Sequence, residues 1–154
     1  MPRSALALVT IVAAIVGTAN WSGSTHAQPG RRYVEPRRPA DTGGPFSQAV
    51  LAGDTLYIAG TLGLEANQRV PDTAEAEARN VLGNIQKTLV QAGMTMDDLV
   101  SVQVFCSDVA HYDAFNKVYR TFFTQEFPAR AFIGSGKLLF GARFEVLGTA
   151  VKRG

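Results

Sequence analysis

Between residues 74 and 93, apolar side chains recur three or four positions apart. Ala78, Val81, Leu82, Ile85, Leu89 and Ala92 form one stripe, and the run stops at a glycine, Gly93. That period is the signature of a helix with a single buried face. Asp72 before the run, with Glu75 three residues on, has the pattern of a capping box, and Gly93 suits the left-handed position that ends a helix. Glu75, Glu77, Arg79, Asn80, Asn84 and Lys87 occupy much of the remaining surface. A helix with one stripe needs a partner for it, and the neighbouring segments predict a sheet.

Leu99 to Ser107 is rich in Val and Phe and reads as a central strand, with Val100, Val102, Val104 and Cys106 on one face. Asp108 caps a second helix running to about Phe123, whose stripe is Phe115, Val118, Tyr119 and Phe122. Phe127-Pro128 ends it. Upstream, Gln48–Ala52 and Thr55–Thr61 predict two strands joined by a tight hairpin, with Leu56, Ile58 and Gly60 facing one way. Downstream, Arg130–Gly134 and Arg143–Val151 predict two more, treated as neighbours across a connection holding Gly134, Gly136 and Gly141. The order ββαβαββ predicts an α+β domain, a mixed sheet with two helices on one face. Its other face, apolar and uncovered, calls for another subunit.

Of the 154 residues, the first part reads as a leader. Arg3 precedes an uncharged run from Ala5 to Ala19, shorter than the roughly 20 residues a membrane span needs. Thr25-His26-Ala27 then fits a small-residue cleavage site, giving a mature start at Gln28. The division expected is a signal peptide over 1–27, a flexible tail over 28–42 and a folded domain over 43–154. The expected location is periplasmic or secreted, with no membrane association after cleavage. The tail carries Arg31, Arg32, Arg37 and Arg38, interrupted by Pro36 and Pro39, a composition that opposes packing.

Lys and Arg number 15 against 13 Asp and Glu, which offers no global attraction for nucleic acid. Cys106 is the only cysteine, so no intrachain disulfide forms, and His111 is the only histidine beyond the leader. A zinc site of the usual Cys/His type cannot be assembled within one chain. Cys106 and His111 straddle a strand end and a helix start, and read as a buried structural thiol and a surface imidazole. No phosphate loop, GxSxG elbow or HExxH helix occurs.

Arg130 and Glu145 carry what chemistry remains. A guanidinium grips a planar carboxylate through two parallel hydrogen bonds, and a carboxylate orients or deprotonates a water. Together they suit a site that binds a small carboxylic acid and presents water to it. The same pair is open to two other readings: a carboxylate-binding cleft without turnover, or a structural ion pair between adjacent strands.

Several segments resemble the RidA (YjgF) family of reactive-intermediate imine deaminases. Gly44-Pro45-Phe46-Ser47-Gln48-Ala49 is similar to its Gly-Pro-Tyr-(Ser/Val)-Gln-(Ala/Gly) segment, and Tyr57-Ile58-Ala59-Gly60 to its Ile-x-(Ser/Thr)-Gly-Gln strand. Val102-Gln103-Val104-Phe105 resembles Thr-x-Val-Phe. Asn116-Lys117-Val118-Tyr119 with Phe122-Phe123 resembles Asn-x-x-Tyr-x-x-Phe-Phe, and Phe127-Pro128-Ala129-Arg130 resembles Phe-Pro-Ala-Arg. The match covers about Gly43 to Val151. It implies a chorismate-mutase-like fold assembled as a homotrimer, with sites in the clefts between subunits. It also implies cofactor-free hydrolysis of a 2-imino acid, formed from an enamine, to a 2-keto acid and ammonia. By resemblance, Arg130 binds the carboxylate, Glu145 directs water, Asn116 lies near the site and Gly60 forms its floor; Phe46, Ala59 and Phe132 line it. The chain departs from the pattern in having Phe46 for tyrosine, Ala59 and Ala131 for hydroxyl residues, Phe132 for cysteine and Thr61 for glutamine. It also has Leu138-Leu139-Phe140 where the family has Leu-Pro.

Overall fold

The apolar stripe becomes helix α1 (Ala74–Ala92) in a computed structural model that describes residues 30–35 and 37–153. The leader and cleavage site expected over residues 1–27 lie outside the described residues. Every stripe residue of α1 is buried. Its cap is Thr73, extended at φ −114°, whose hydroxyl accepts from the Ala76 N–H; the expected Asp72 lies one residue outside. Gly93 closes the helix at φ 78°, donating back to the Leu89 and Val90 carbonyls.

Around α1 run β1 (Arg32–Val34), β2 (Ala49–Ala52), β3 (Thr55–Leu62), β4 (Leu99–Cys106), α2 (Tyr112–Tyr119), β5 (Ala129–Gly134) and β6 (Phe144–Val151). The sheet order is β1-β2-β3-β6-β4-β5, parallel only between β4 and β5. The mixed α+β architecture is the expected one, with one strand more at its start. Residues 32–34 of the supposed flexible tail form that strand. Two interactions hold it: Val34 is buried, and the Arg32 guanidinium donates to the Gln91 and Ala92 carbonyls at the end of α1. Those carbonyls have no partner within the helix and carry its negative end, so an arginine serves them well.

Strand neighbours correct a second expectation. β5 and β6 are not adjacent; β4 lies between them, pairing Val102 with Arg130 on one side and Phe105 with Glu145 on the other. β6 takes the sheet centre, and its buried residues Phe144, Val146 and Ala150 suit that place. Gly148 belongs there too, because a Cβ would press within 3.0 Å of Leu99 and 3.1 Å of the Ser101 carbonyl.

The buried face changes phase in two strands. In β3, Leu56 and Ile58 point inward, then a bulge between Ile58 and Thr61 turns Thr61 inward in place of Gly60. In β4 the register shifts between Leu99 and Ser101, so Leu99 is buried and Val100 is left 47% exposed. Asp108 caps a single 3-10 turn, Val109–His111, and the α-helix proper is shorter than expected, ending at Tyr119 before another 3-10 turn.

One apolar core lies between the sheet and the two helices. On the opposite face the register aligns Tyr33, Val50 and Tyr57 across three strands, and Phe105 with Ile133 across two. Tyr33, Tyr57 and Ile133 are exposed there.

Candidate functional site

Arg130 pairs with the buried Val102, so its side chain leaves β5 on the helix side of the sheet. There its guanidinium lies over the Tyr119 ring, 4.5 Å from the centroid, and one nitrogen, Nη2, donates to Asn116 Oδ1 at 2.7 Å. Arg130 Nη1 and the Tyr119 hydroxyl are both buried without a hydrogen-bond partner. They line one recess of about 150 Å³ with Asn116, Phe127 and Pro128. A buried polar group left unpaired costs about 1–3 kcal/mol, more for a charged one. Two such donors belong to residues that line one recess, a setting that suits an acceptor with two oxygens. Burial pushes the Tyr119 hydroxyl up to about 12, the Arg130 charge pulling the other way, so it remains a donor at ordinary pH. Phe132, two residues along, packs edge-on against Tyr112 and Phe115. It buttresses this half and joins the core.

Glu145 pairs with Phe105 and Leu62 and leaves β6 on the other face of the sheet. It lines a cavity of about 850 Å³ just ahead of the start of β2, where the last residues of β3 have no β2 partner. Gly60 faces it, and a Cβ there would collide with Glu145 Oε1, so the carboxylate rests against bare backbone. Gln48 donates to Thr61 Oγ1 at 2.8 Å, and that hydroxyl donates to the Ala59 carbonyl at 3.0 Å. Phe46, Leu139 and Phe140 complete the wall. α1 bounds the far side, held to the end of β3 by Asn80 and Asn84, which donate to the Gly63 and Leu62 carbonyls.

The sequence-predicted residues therefore fall into two groups. Arg130, Asn116 and Phe132 belong to the helix side at the β5 edge; Glu145, Gly60, Ala59 and Phe46 surround the cavity beside β3. The structural ion pair between Arg130 and Glu145 does not form, because β4 separates their strands and their side chains leave opposite faces. Among the described residues, neither takes part in any ion pair.

Three features were not legible beforehand. Tyr119 passes for one more member of an apolar stripe. The exposed Leu139 and Phe140 lie in a connection of no periodicity. Glu77, placed on the solvated side of α1 by its charge, is fully buried. Its carboxylate accepts from Arg143 N at 2.6 Å, Phe144 N at 3.1 Å and Arg143 Nη1 at 2.9 Å. It thereby anchors β6 just ahead of Glu145. Cys106 is buried as expected; its thiol donates to the Asp108 carbonyl, and burial pushes it up from the ordinary thiol range.

The family described as Endoribonuclease L-PSP matches residues 36–152. A 2-iminobutanoate/2-iminopropanoate deaminase from Capra hircus is 36% identical over 124 residues, covering 79% of this chain and 90% of that protein. The Homo sapiens protein of the same name is 32% identical with the same coverage. Among solved structures, RidA from Psychrobacter sp. PAMC 21119 superposes with a TM-score of 0.70 at 28% identity, over 79% of this chain and 99% of that one. The E. coli protein TdcF, crystallised with bound serine, gives 0.72 at 25% identity, over 79% and 99%.

Proposed function

The chain belongs to the RidA/YjgF family, and on that premise we propose that it hydrolyses 2-imino acids to 2-keto acids and ammonia. One observation carries the reading: Arg130 and Tyr119, which line one recess, keep a buried guanidinium nitrogen and a buried hydroxyl without partners, while Glu145 lines an open cavity elsewhere. The first group suits a carboxylate and the second a water. Since the two halves occupy different faces of one sheet, the site is completed between copies, the Arg130 half of one against the Glu145 half of the next. A ring of three gives each copy both roles, and the exposed Tyr33, Tyr57 and Ile133 give its sheet faces something to bury. The serine in the TdcF crystal supports a small carboxylate as ligand for this fold.

In the reaction, Arg130 and the Tyr119 hydroxyl hold the substrate carboxylate, with Asn116 fixing the guanidinium. The imine carbon then meets a water oriented by Glu145. The water oxygen bonds to that carbon, and its proton passes through the carboxylate to nitrogen. The remaining hydroxyl proton passes to the same carboxylate as the carbonyl forms and the carbon–nitrogen bond breaks, and the departing ammonia carries it away as ammonium. Assistance of this kind supplies about 10²–10⁴-fold. A protonated imine is electrophilic enough for that to serve, even with Phe46, Ala59 and Ala131 lacking the family hydroxyls. No cofactor enters the scheme. We further propose that the mature protein acts outside the cytoplasm, on the strength of its leader.

The test is ammonia release from 2-iminopropanoate and 2-iminobutanoate generated in situ. The parent accelerates release and Arg130→Ala does not. Calorimetric binding of a 2-keto acid without any acceleration would leave a non-catalytic carboxylate-binding trimer in place of the enzyme.

A further inference from the structure

The cavity that holds Glu145 has an apolar wall out of proportion to a two- or three-carbon substrate. Phe46, Leu139 and Phe140 line it, and they are 54%, 68% and 63% exposed. These are large apolar side chains held in water, which costs free energy unless something covers them. Two of them sit on a hydrogen-bonded turn. Phe140 has φ 59° and the next residue, Gly141, φ 75°. The left-handed region is unfavourable for an aromatic residue, and such strain persists only where surrounding structure imposes it. Here Gly141 and Ala142 donate to the Leu138 and Leu139 carbonyls, and Ala142 is buried at the foot of β6. The turn thus presents Leu139 and Phe140 to the cavity.

We infer that this wall receives the substrate's side chain, and that the protein acts on 2-imino acids bearing an aromatic or branched aliphatic side chain in preference to the alanine-derived imine. The inference rests on the deaminase reading above and sets its substrate class. In a single copy the cavity measures about 850 Å³ and stands open where the neighbour's Arg130 half would dock, so it is the apolar wall, not the full volume, that is left to the substrate's side chain. An imine with a methyl side chain would leave water against the apolar wall. A benzyl or isobutyl group would displace that water. The apolar wall and Glu145 line the same cavity, so a substrate whose imine carbon reaches the carboxylate has its side chain within reach of the wall.

The experiment compares imines generated in situ by an amino-acid oxidase from alanine, leucine and phenylalanine, with semicarbazide trapping the imine that escapes hydrolysis. The parent and Phe140→Gly are compared. Glycine adopts φ 59° without strain, so this variant retains its fold, and its thermal midpoint is expected at or above the parent's. The expected result is a kcat/KM for the phenylalanine-derived imine about 10-fold or more above that for the alanine-derived one. In Phe140→Gly that ratio falls several-fold. Equal turnover of the three imines, or a preference for the smallest, overturns the inference and leaves the deaminase reading intact. A ratio unchanged in Phe140→Gly with weakened assembly by sedimentation also overturns it, because the wall would then be covered by the neighbouring copy. Hydrolysis of none of the three overturns both.

Discussion

Replacing Glu77 by alanine is expected to cost about 3–5 kcal/mol of folding stability, the range for removing one partner of a buried ion pair. The figure follows from what the carboxylate holds. It is fully buried and accepts three hydrogen bonds, from the main-chain N–H groups of Arg143 and Phe144 and from the Arg143 guanidinium. Alanine leaves both main-chain donors stranded, at about 1–3 kcal/mol each. The guanidinium is less costly to release, because it is partly exposed and keeps the Pro71 and Asp72 carbonyls as acceptors. Glu77→Gln retains one oxygen for the main-chain donors and loses only the contact with Arg143 Nη1, so it should cost about 1–2 kcal/mol. Urea unfolding at one fixed protomer concentration measures both, since the proposed assembly would otherwise enter the apparent stability. Within 1 kcal/mol of parent stability for Glu77→Ala, or equal losses for the two variants, would refute the reasoning. The alanine variant should also lose activity beyond its loss of fold, because the freed start of β6 carries Glu145.

Arg130→Ala should abolish both binding and turnover, since a buried ligand carboxylate without its charged partner loses roughly 2–5 kcal/mol. Glu145→Gln should bind a 2-keto acid normally in calorimetry and hydrolyse imines slowly, because the amide keeps the shape and lacks the basic oxygen. Tyr119, raised from 10 to about 12 by burial, is favoured as the neutral hydroxyl in the folded state. Its contribution is complete below pH 10 and is lost as pH rises toward 12, so Tyr119→Phe should unfold less steeply than the parent across that interval in thermal melts. N-terminal sequencing of exported protein should begin at Gln28; an intact Met1 in the membrane fraction would favour an uncleaved anchor.

Local physics was the legible part of this chain. The α1 stripe, its stop at Gly93 and the β2–β3 hairpin follow from interactions within a few residues, and periodicity reports those directly. Long-range partners were not legible. Glu77 lies 66 residues from Arg143, and nothing in its own neighbourhood separates a buried carboxylate from a solvated one. β1 was hidden for the same reason: its Arg32 serves helix-end carbonyls some sixty residues away. The adjacency assumed for β5 and β6 came from their closeness in the chain, whereas the parallel pairing of β5 with β4 placed them apart. At the site, the motif residues could be named from the sequence, yet their division between two sheet faces depends on register and on the β3 bulge.

That division is the central claim, and mixing two variants that each lack one half of the site tests it directly. Arg130→Ala retains a sound Glu145 half, and Glu145→Gln retains a sound Arg130 half. Co-refolded in equal amounts, they should regain about a quarter of parent activity, because that fraction of the interfaces in a randomly mixed ring unites two sound halves. Mixed trimers, verified by a mass tag on one variant, that remain as inactive as either variant alone would contradict a site shared between copies.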